Sequence, residues 1–270
     1  MVITVYLKWN LRIIISLFLG IIFFSCSTEA IKYSEKLEYA LNHAGRNRLE
    51  LEKVLKHYLI TEPDPLKYEA ACFLIENMPY HFSYIDTINL AKYYNEIESL
   101  PNNENSKVKK DELSRDKYKN VYLQGEPDIL HVTGEYLIRN IEQSFHAWQA
   151  SKCSKHISFE DFCEYILPYK VTVLQLLDNW KEEFSDFGND SIRYLDYCDL
   201  FTSSSYRHCE AVMGEIRKKA TIFINQVAEL PIKRIHTLFH ILYGSCDDYC
   251  NLGLAIMRAK VIRKGDKVIE

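Results

Sequence analysis

The sequence has no excess of positive charge, and this excludes one broad class of function. Its 33 Lys and Arg are outnumbered by 37 Asp and Glu. Two of the basic residues, Lys8 and Arg12, lie in an N-terminal segment that we expect to be removed. The remaining part then has 31 basic against 37 acidic residues, a net charge of −6. Since such a surface does not attract a polyanion, we expect no nucleic-acid partner.

Long apolar runs are also lacking. The longest one extends from Ile13 to Phe24 and is interrupted only by Ser16 and Gly20. It has about a dozen residues, whereas a permanent membrane-spanning helix needs about 20. A short apolar run that follows basic residues is typical of a secretory signal, and we predict a signal peptide over residues 1–25.

A cysteine follows this run directly after a small residue. Ser25-Cys26 resembles a bacterial lipobox, in which the cysteine carries lipid and becomes the first residue of the mature protein. Phe23 and Phe24 are bulkier than the usual lipobox residues, so an uncleaved N-terminal anchor is the alternative. Either way, we expect an exported protein that is tethered to the membrane of the bacterial cell envelope. Ser27 favours the outer membrane, by resemblance to general lipoprotein sorting.

An even set of cysteines is lacking as well. If Cys26 is lipidated, seven of the eight cysteines remain, and an odd number argues against a fully paired disulfide framework. Most of them have apolar helical neighbours, as in Ala71-Cys72-Phe73-Leu74, where a thiol behaves as a small hydrophobe. We expect five or six to be packing residues. The seven are Cys72, Cys153, Cys163, Cys198, Cys209, Cys246 and Cys250.

Alternation of apolar and polar residues, which is typical of strands, is scarce, whereas apolar residues recur at intervals of three and four. The predicted fold class is therefore mainly α, with a helical region over residues 26–230. Gly45 is the predicted break between the first two helical stretches. Residues 101–117 are so polar that we predict a mobile loop or a solvated helix start. Further helices are predicted over Lys67 to Asn77, from an N-cap at Asp86 to Leu100, over Gly134 to Gln149, from a capping box at Ser158 to Leu167, and over 174–184, 206–228 and 231–242.

Two groups of residues have side chains that could bind a metal. His236 and His240 lie four residues apart, so they share one helix face and could bind a metal or reach a thiol. No glutamate follows His236, which excludes the zinc-protease motif, and ordinary helix-face histidines are the favoured interpretation. His146, Cys153 and His156 lack a fourth ligand. We therefore predict no metal site and no cofactor.

Cys246 is the candidate nucleophile. It follows Gly244-Ser245 at the predicted start of a helix, where free N–H groups and the helix dipole stabilise a thiolate. Asp247 and Asp248 suit a first helical turn, but their charge opposes thiolate formation. From spacing alone, a buried structural cysteine is the more frequent alternative. A thiol enzyme also needs an imidazole to take the thiol proton, and no histidine follows Cys246.

The segment Ser245-Cys246-Asp247-Asp248-Tyr249, with Arg258-Ala259 further on, is similar to the nucleophile segment of the transglutaminase-like superfamily. In these papain-like thiol enzymes, the cysteine opens a helix that ends in an Arg-Ala pair. Three upstream blocks resemble recurrent segments of bacterial lipoproteins that place a helical region before such a domain. The blocks are Phe73-Leu74-Ile75-Glu76-Asn77-Met78-Pro79, the helix from Ile141 to Trp148, and the stretch from Phe159 to Tyr169.

The resemblance covers about residues 32 to 259, and it implies that residues 231–270 are the opening helices of an α+β papain-like domain. Cys246 would be the catalytic residue for acyl transfer or amide hydrolysis. The family pattern continues with a Gly-Ile-Pro turn and strands that carry a His and an Asp, but this sequence departs from it at Lys260. The short basic tail resembles a frameshift or a premature stop. We therefore expect a truncated domain and an inactive product.

In a truncated domain, the helix that begins at Cys246 would have no sheet to pack on. We expect its apolar side to be exposed unless the helical region covers it, with low solubility as the consequence. That side consists of Leu252, Leu254, Ala255 and Ile256.

A noncatalytic envelope module is the alternative function. It would bind a protein, peptide or glycan through the helical region, and its oligomeric state is open. Tyrosines could line such a groove, although their spacing follows the helical apolar stripe and favours packing. These tyrosines are Tyr33, Tyr39, Tyr58, Tyr68, Tyr80, Tyr84, Tyr93 and Tyr94.

Overall fold

Helices dominate the computed structural model of the chain, and this confirms the mainly α prediction. No described helix is long and apolar enough to span a bilayer. The predicted signal peptide, Cys26, Asp86 and the helix predicted over 206–228 lie outside the described residues. The structure describes residues 32–85, 88–101, 103–113, 117, 125–151, 157–185, 235–241 and 246–260.

The elements follow one another with short connections in the first half of the chain. The helices are α1 Glu35–His43, α2 Arg48–Lys56, α3 Pro65–Asn77, α4 Ile88–Ser99, α5 Glu104–Glu112, α6 Gly134–Ala150, α7 Phe159–Tyr165, α8 Trp180–Ser185, α9 Ile235–Ile241 and α10 Cys246–Ala259. The strands β1 Phe82–Tyr84 and β2 Gly125–Pro127 pair antiparallel, with Ser83 opposite Glu126. Short turns of tighter or wider helix follow α1, α2, α3 and β2, at Gly45–Asn47, His57–Thr61, Met78–Tyr80 and Asp128–Leu130.

Local capping explains where several helices begin. The carboxylate of Asp64 accepts hydrogen bonds from the backbone N–H groups of the first turn of α3, at 3.0 and 3.1 Å. Pro65 occupies the first helical position, where its missing N–H costs nothing. Ser158 accepts from the backbone N–H of Asp161 at 3.0 Å, so the predicted cap of α7 is confirmed. That helix ends at Tyr165, two residues before the predicted end.

The core of the first half lies between α1, α2, α3 and α6. Their apolar stripes supply fully buried side chains, among them Leu41, Leu51, Ile75 and Ile141. Aromatic rings join α7 to α6, since Phe162 stacks on Trp148 with ring centroids 4.4 Å apart. Some of the tyrosines pack in the core and others are exposed, as a ligand-binding groove would require. Tyr58, Tyr93 and Tyr94 are buried packing residues, whereas Tyr39 and Tyr80 are exposed.

Two glycines are required by backbone geometry. Gly45 has φ +53°, a left-handed conformation that ends α1 as predicted and that side chains with a Cβ rarely adopt. Gly134 opens α6 against α2, and its backbone N–H donates to Glu50 Oε2 at 2.9 Å. A Cβ at Gly134 would lie 2.6 Å from the carbonyl oxygen of Glu50. The close approach of α6 to α2 therefore depends on the missing side chain.

The helix predicted over 174–184 is wrong in its first part, because α8 begins only at Trp180. Leu174 instead forms a parallel bridge with Ser83. Its N–H donates to the carbonyl oxygen of Phe82 at 3.0 Å, and its carbonyl accepts from Tyr84 N at 3.4 Å. Backbone pairing with β1 has thus replaced the helix that the apolar spacing predicted.

The polar segment over 101–117 contains a helix, α5, so the loop alternative is wrong there. Asn103 caps it by accepting from the backbone N–H of Ser106 at 3.0 Å. The helix is not fully solvated, since Ser106 and Lys110 are buried. Burial lowers the pKa of Lys110 to about 8.

A buried ion pair joins the small sheet to the segment before α8. Lys170 Nζ lies 2.5 Å from Asp128 Oδ2 and donates to the carbonyl oxygen of Phe82 at 2.8 Å. The hydroxyl of Tyr169 donates to the same carboxylate oxygen at 2.8 Å. We call Asp128, Tyr169 and Lys170 the buried junction.

The backbone of the buried junction also holds the surrounding helices. The indole N–H of Trp180 donates to the carbonyl oxygen of Tyr169 at 3.0 Å, and the hydroxyl of Tyr136 donates to it at 3.3 Å. Arg258, near the end of α10, donates to the carbonyl oxygen of Lys170. α6, α8 and α10 therefore all meet at this point.

Gly134→Ala should destabilise the protein by about 1–3 kcal/mol, because the added methyl group overlaps backbone of α2 that cannot move away. Urea denaturation of the purified protein measures this change. Gly45→Asn is the matched control, since Asn tolerates the left-handed conformation and nothing lies within 4 Å of the added Cβ. If Gly134→Ala lowers the free energy of unfolding no more than Gly45→Asn does, the close approach of α6 to α2 is contradicted.

Candidate functional site

The C-terminal helices α8, α9 and α10 pack against one another, and α9 also packs against α4. Phe184 of α8 and Phe239 of α9 make an edge-to-face contact, with ring centroids 5.1 Å apart. The described helices before and after residue 230 are thus in contact with each other. The domain boundary that we place there stays a prediction.

Helix α10 begins at Cys246 and ends at Ala259. The predicted helix that starts at Cys246 and includes Arg258-Ala259 is therefore present, while its resemblance to the transglutaminase-like pattern stays a prediction. The side chain of Cys246 lies outside the described part of the structure. Cys250, one turn later, is an exposed free thiol.

The apolar side of α10 is covered, which is the exception that the expectation of an exposed face allowed. Leu252, Ala255 and Ile256 are fully buried, and Leu254 is half-buried. The cover consists of α8 and α9, which both pack against α10. α8 of the helical region and the neighbouring α9 thus bury this face, and the reason given for low solubility does not apply to it.

Lys181 is a buried cation that the sequence analysis did not anticipate. Its Nζ donates to Ser144 Oγ at 2.6 Å and to the carbonyl oxygens of Ile166 and Leu167 at 2.9 and 3.0 Å. Three acceptors match the three donors of an ammonium group. Burial, together with the nearby charge of Arg258, holds the pKa of Lys181 well below its usual value.

A serine beside a lysine is a pattern of some hydrolases, but this pair lacks access to a substrate. Ser144 and Lys181 are both buried. The hydroxyl of Ser144 also donates to the carbonyl oxygen of Asn140 one turn earlier, at 2.7 Å. Lys181 therefore serves to join α8 to α6 and to the end of α7.

The structure brings His236 and His240 together with a third group, Glu183 of α8. His236 Nδ1 lies 2.7 Å from Glu183 Oε2, and His240 Nε2 lies 2.9 Å from Glu183 Oε1. The two imidazole rings are tilted by 56° relative to each other, with centroids 4.2 Å apart. The shared helix face that the sequence predicted is confirmed. We call these three residues the Glu–His–His cluster.

The cluster lies at the surface, and a hydrogen bond from the segment before α8 fixes the start of α9. The side chains of His236 and His240 are 46% and 49% exposed, and that of Glu183 is 21% exposed. Asp178 Oδ2 accepts the backbone N–H of His236 at 3.1 Å, which secures the first turn of α9. Glu183 was missed in the sequence because it lies 53 residues before His236, beyond the reach of any helical spacing.

The other predicted ligands and thiols are not brought into a site. His146 lies on the exposed side of α6, while Cys153 and His156 lie outside the described residues. Cys72 and Cys163 are free, and burial raises their pKa values to about 11 and about 12. A raised pKa keeps both thiols protonated at neutral pH, which fits the packing role predicted for most of the cysteines.

Comparisons of the chain with protein-family models, curated proteins and solved structures found no match. The transglutaminase-like and lipoprotein assignments therefore remain predictions from the residues themselves.

The pH dependence of stability should reveal Lys181. The pKa of Lys181 is about 10.4 in the unfolded chain, and folding lowers this pKa. At a pH between the folded and the unfolded pKa, the unfolded chain binds one more proton than the folded chain. The free energy of unfolding therefore rises with pH in this range. The free energy of unfolding of the wild type, relative to Lys181→Met, should increase as the pH rises from the lowered pKa of the folded state towards about 10.4. The increase is about 1.4 kcal/mol for each pH unit crossed within that window.

Urea denaturation at several pH values measures this difference. Lys109→Met, at an exposed position of α5, is the control and should show no such trend. A flat difference at Lys181 would mean that its pKa is not lowered by burial.

Proposed function

We propose that this protein is a lipid-anchored protein of the bacterial cell envelope, related to transglutaminase-like cysteine enzymes and bearing a reactive thiol at Cys246. The observation that carries the proposal is α10, which begins at Cys246 and ends in Arg258-Ala259. A thiol at the first position of a helix lies next to free N–H groups and the positive end of the dipole. Both favour the thiolate, which is the nucleophilic form.

In acyl transfer, the thiolate attacks the carbonyl carbon of a carboxamide or peptide bond. The C–N bond then breaks, the amine leaves with a proton, and the acyl-thioester passes to water or to a second amine. Within the 270 residues, the histidine of the family pattern has no counterpart after Cys246. The two described histidines nearest in sequence, His236 and His240, both contact Glu183.

A noncatalytic binding module is the second candidate. It is favoured by the burial of the apolar side of α10 against α8 and α9, which integrates this helix into the helical body. It is also favoured by the exposed side chains of Tyr39 and Tyr80, which are close enough for a hydrogen bond that raises the pKa of Tyr39. Such rings suit a protein, peptide or glycan ligand.

Alkylation by iodoacetamide, followed by mass spectrometry of each cysteine, separates the two candidates. Cys250 is the matched control because it is an exposed thiol on the same helix. An activated Cys246 should react at least ~10-fold faster than Cys250 at pH 7, with an apparent pKa below the value of about 8.5 for a free thiol. Cys246→Ser should remove the fast phase, and Cys250→Ser should leave it. Equal or slower labelling of Cys246 would reject the reactive thiol and favour the binding module.

The lipid anchor is tested by producing the full chain in a bacterium with radiolabelled palmitate. The wild type should take up label and sediment with membranes, and Cys26→Ala should lose the label. Cys72→Ala, at a packing thiol inside α3, is the control and should keep it. An unlabelled wild type that stays in the membrane would show an uncleaved N-terminal anchor in place of a lipid.

A further inference from the structure

We propose that Glu183, His236 and His240 bind a divalent transition-metal ion, with Zn²⁺ as the best match. This inference is independent of the thiol at Cys246. It rests on the convergence of three ligating side chains from two helices, α8 and α9.

The ligand chemistry selects the class of ion. Two imidazole nitrogens and a carboxylate oxygen form a donor set that zinc accepts readily, whereas Ca²⁺ and Mg²⁺ require oxygen ligands. One ligand atom from each residue lies within 4.8 Å of the other two. In tetrahedral zinc, such atoms are about 3.4 Å apart, so the side chains need only small rotations to surround an ion.

The exposure of the cluster suits a site with an open position. Both imidazoles are about half exposed, and the carboxylate is partly exposed. Three protein ligands leave the fourth tetrahedral position to water on the solvent side. The partly exposed side chains also retain the freedom to adjust to the ion.

The helices hold the cluster before any ion arrives. His236 and His240 lie one turn apart on α9, whose first turn is secured by Asp178. The contact between Phe184 and Phe239 involves residues adjacent to Glu183 and His240, so a packed aromatic pair sets the distance between the two helices. Ligands on packed helices lose little freedom on binding, which favours affinity.

The charge of the cluster also favours a cation. When both imidazoles are neutral, Glu183 gives the cluster one negative charge. The contacts of Glu183 with the two imidazoles involve exposed partners and are therefore worth little as ion pairs. A metal ion between Glu183 and the two imidazoles would form three coordination bonds, and only these weak contacts would be lost.

Titration of the detergent-purified full chain with Zn²⁺ by calorimetry tests the site, in a Cys246→Ser/Cys250→Ser background that removes the thiols of α10. One ion should bind per chain. His236→Ala, His240→Ala and Glu183→Gln should each weaken the affinity at least tenfold. His43→Ala is the matched control, since it removes another exposed helical histidine, and it should bind as tightly as the background.

A second measurement guards against loss of folding. Circular dichroism of each variant should show the helical spectrum. In melting curves, saturating Zn²⁺ should raise the Tm of the background protein and of His43→Ala, and it should leave the Tm of the three ligand variants unchanged. Glu183→Gln keeps the size of the side chain, so it reports on the ligand and not on packing. The proposal is overturned if the background binds no Zn²⁺ saturably, or if His43→Ala weakens binding as much as His236→Ala does.

Discussion

The buried contact between Asp128 and Lys170 is the interaction on which the rest of the described structure depends. Asp128 is fully buried and receives both the ammonium of Lys170 and the hydroxyl of Tyr169 on one carboxylate oxygen. A buried charge without its partner costs several kcal/mol, so the two residues require each other. Because Lys170 also donates to the carbonyl of Phe82, the pair determines where the segment after α7 lies relative to β1.

The position of the C-terminal helices follows from this junction. The carbonyl of Tyr169 accepts from Trp180 at the start of α8, and that of Lys170 accepts from Arg258 near the end of α10. Lys181, the second residue of α8, donates to the carbonyls at the end of α7. The helix that begins at Cys246 is therefore held at its far end by buried polar contacts and along its side by apolar ones. Its geometry does not depend on a sheet.

Two charged residues of α8 lie on opposite sides of the helix. Lys181 points into the core, whereas Glu183, two residues on, reaches the surface and the histidines of α9. A metal ion there would join helices that are about 50 residues apart in sequence. Such a long-range link stabilises the folded chain because it closes a long loop. The proposed thiol lies on α10, whose packing against α8 and α9 places both functions in one group of three helices.

The sequence alone determined the helices whose signals are local. Apolar spacing predicted α6, the serine before Phe159 predicted α7, and Gly45 predicted the end of α1, because caps, periodicity and left-handed turns act within one or two turns of chain. Tertiary structure decided the rest. Leu174 paired with Ser83 where spacing predicted helix, and the carboxylate of Glu183 met two histidines of α9. Both outcomes join residues far apart in sequence, and local patterns carry no information about which distant segment will supply the partner.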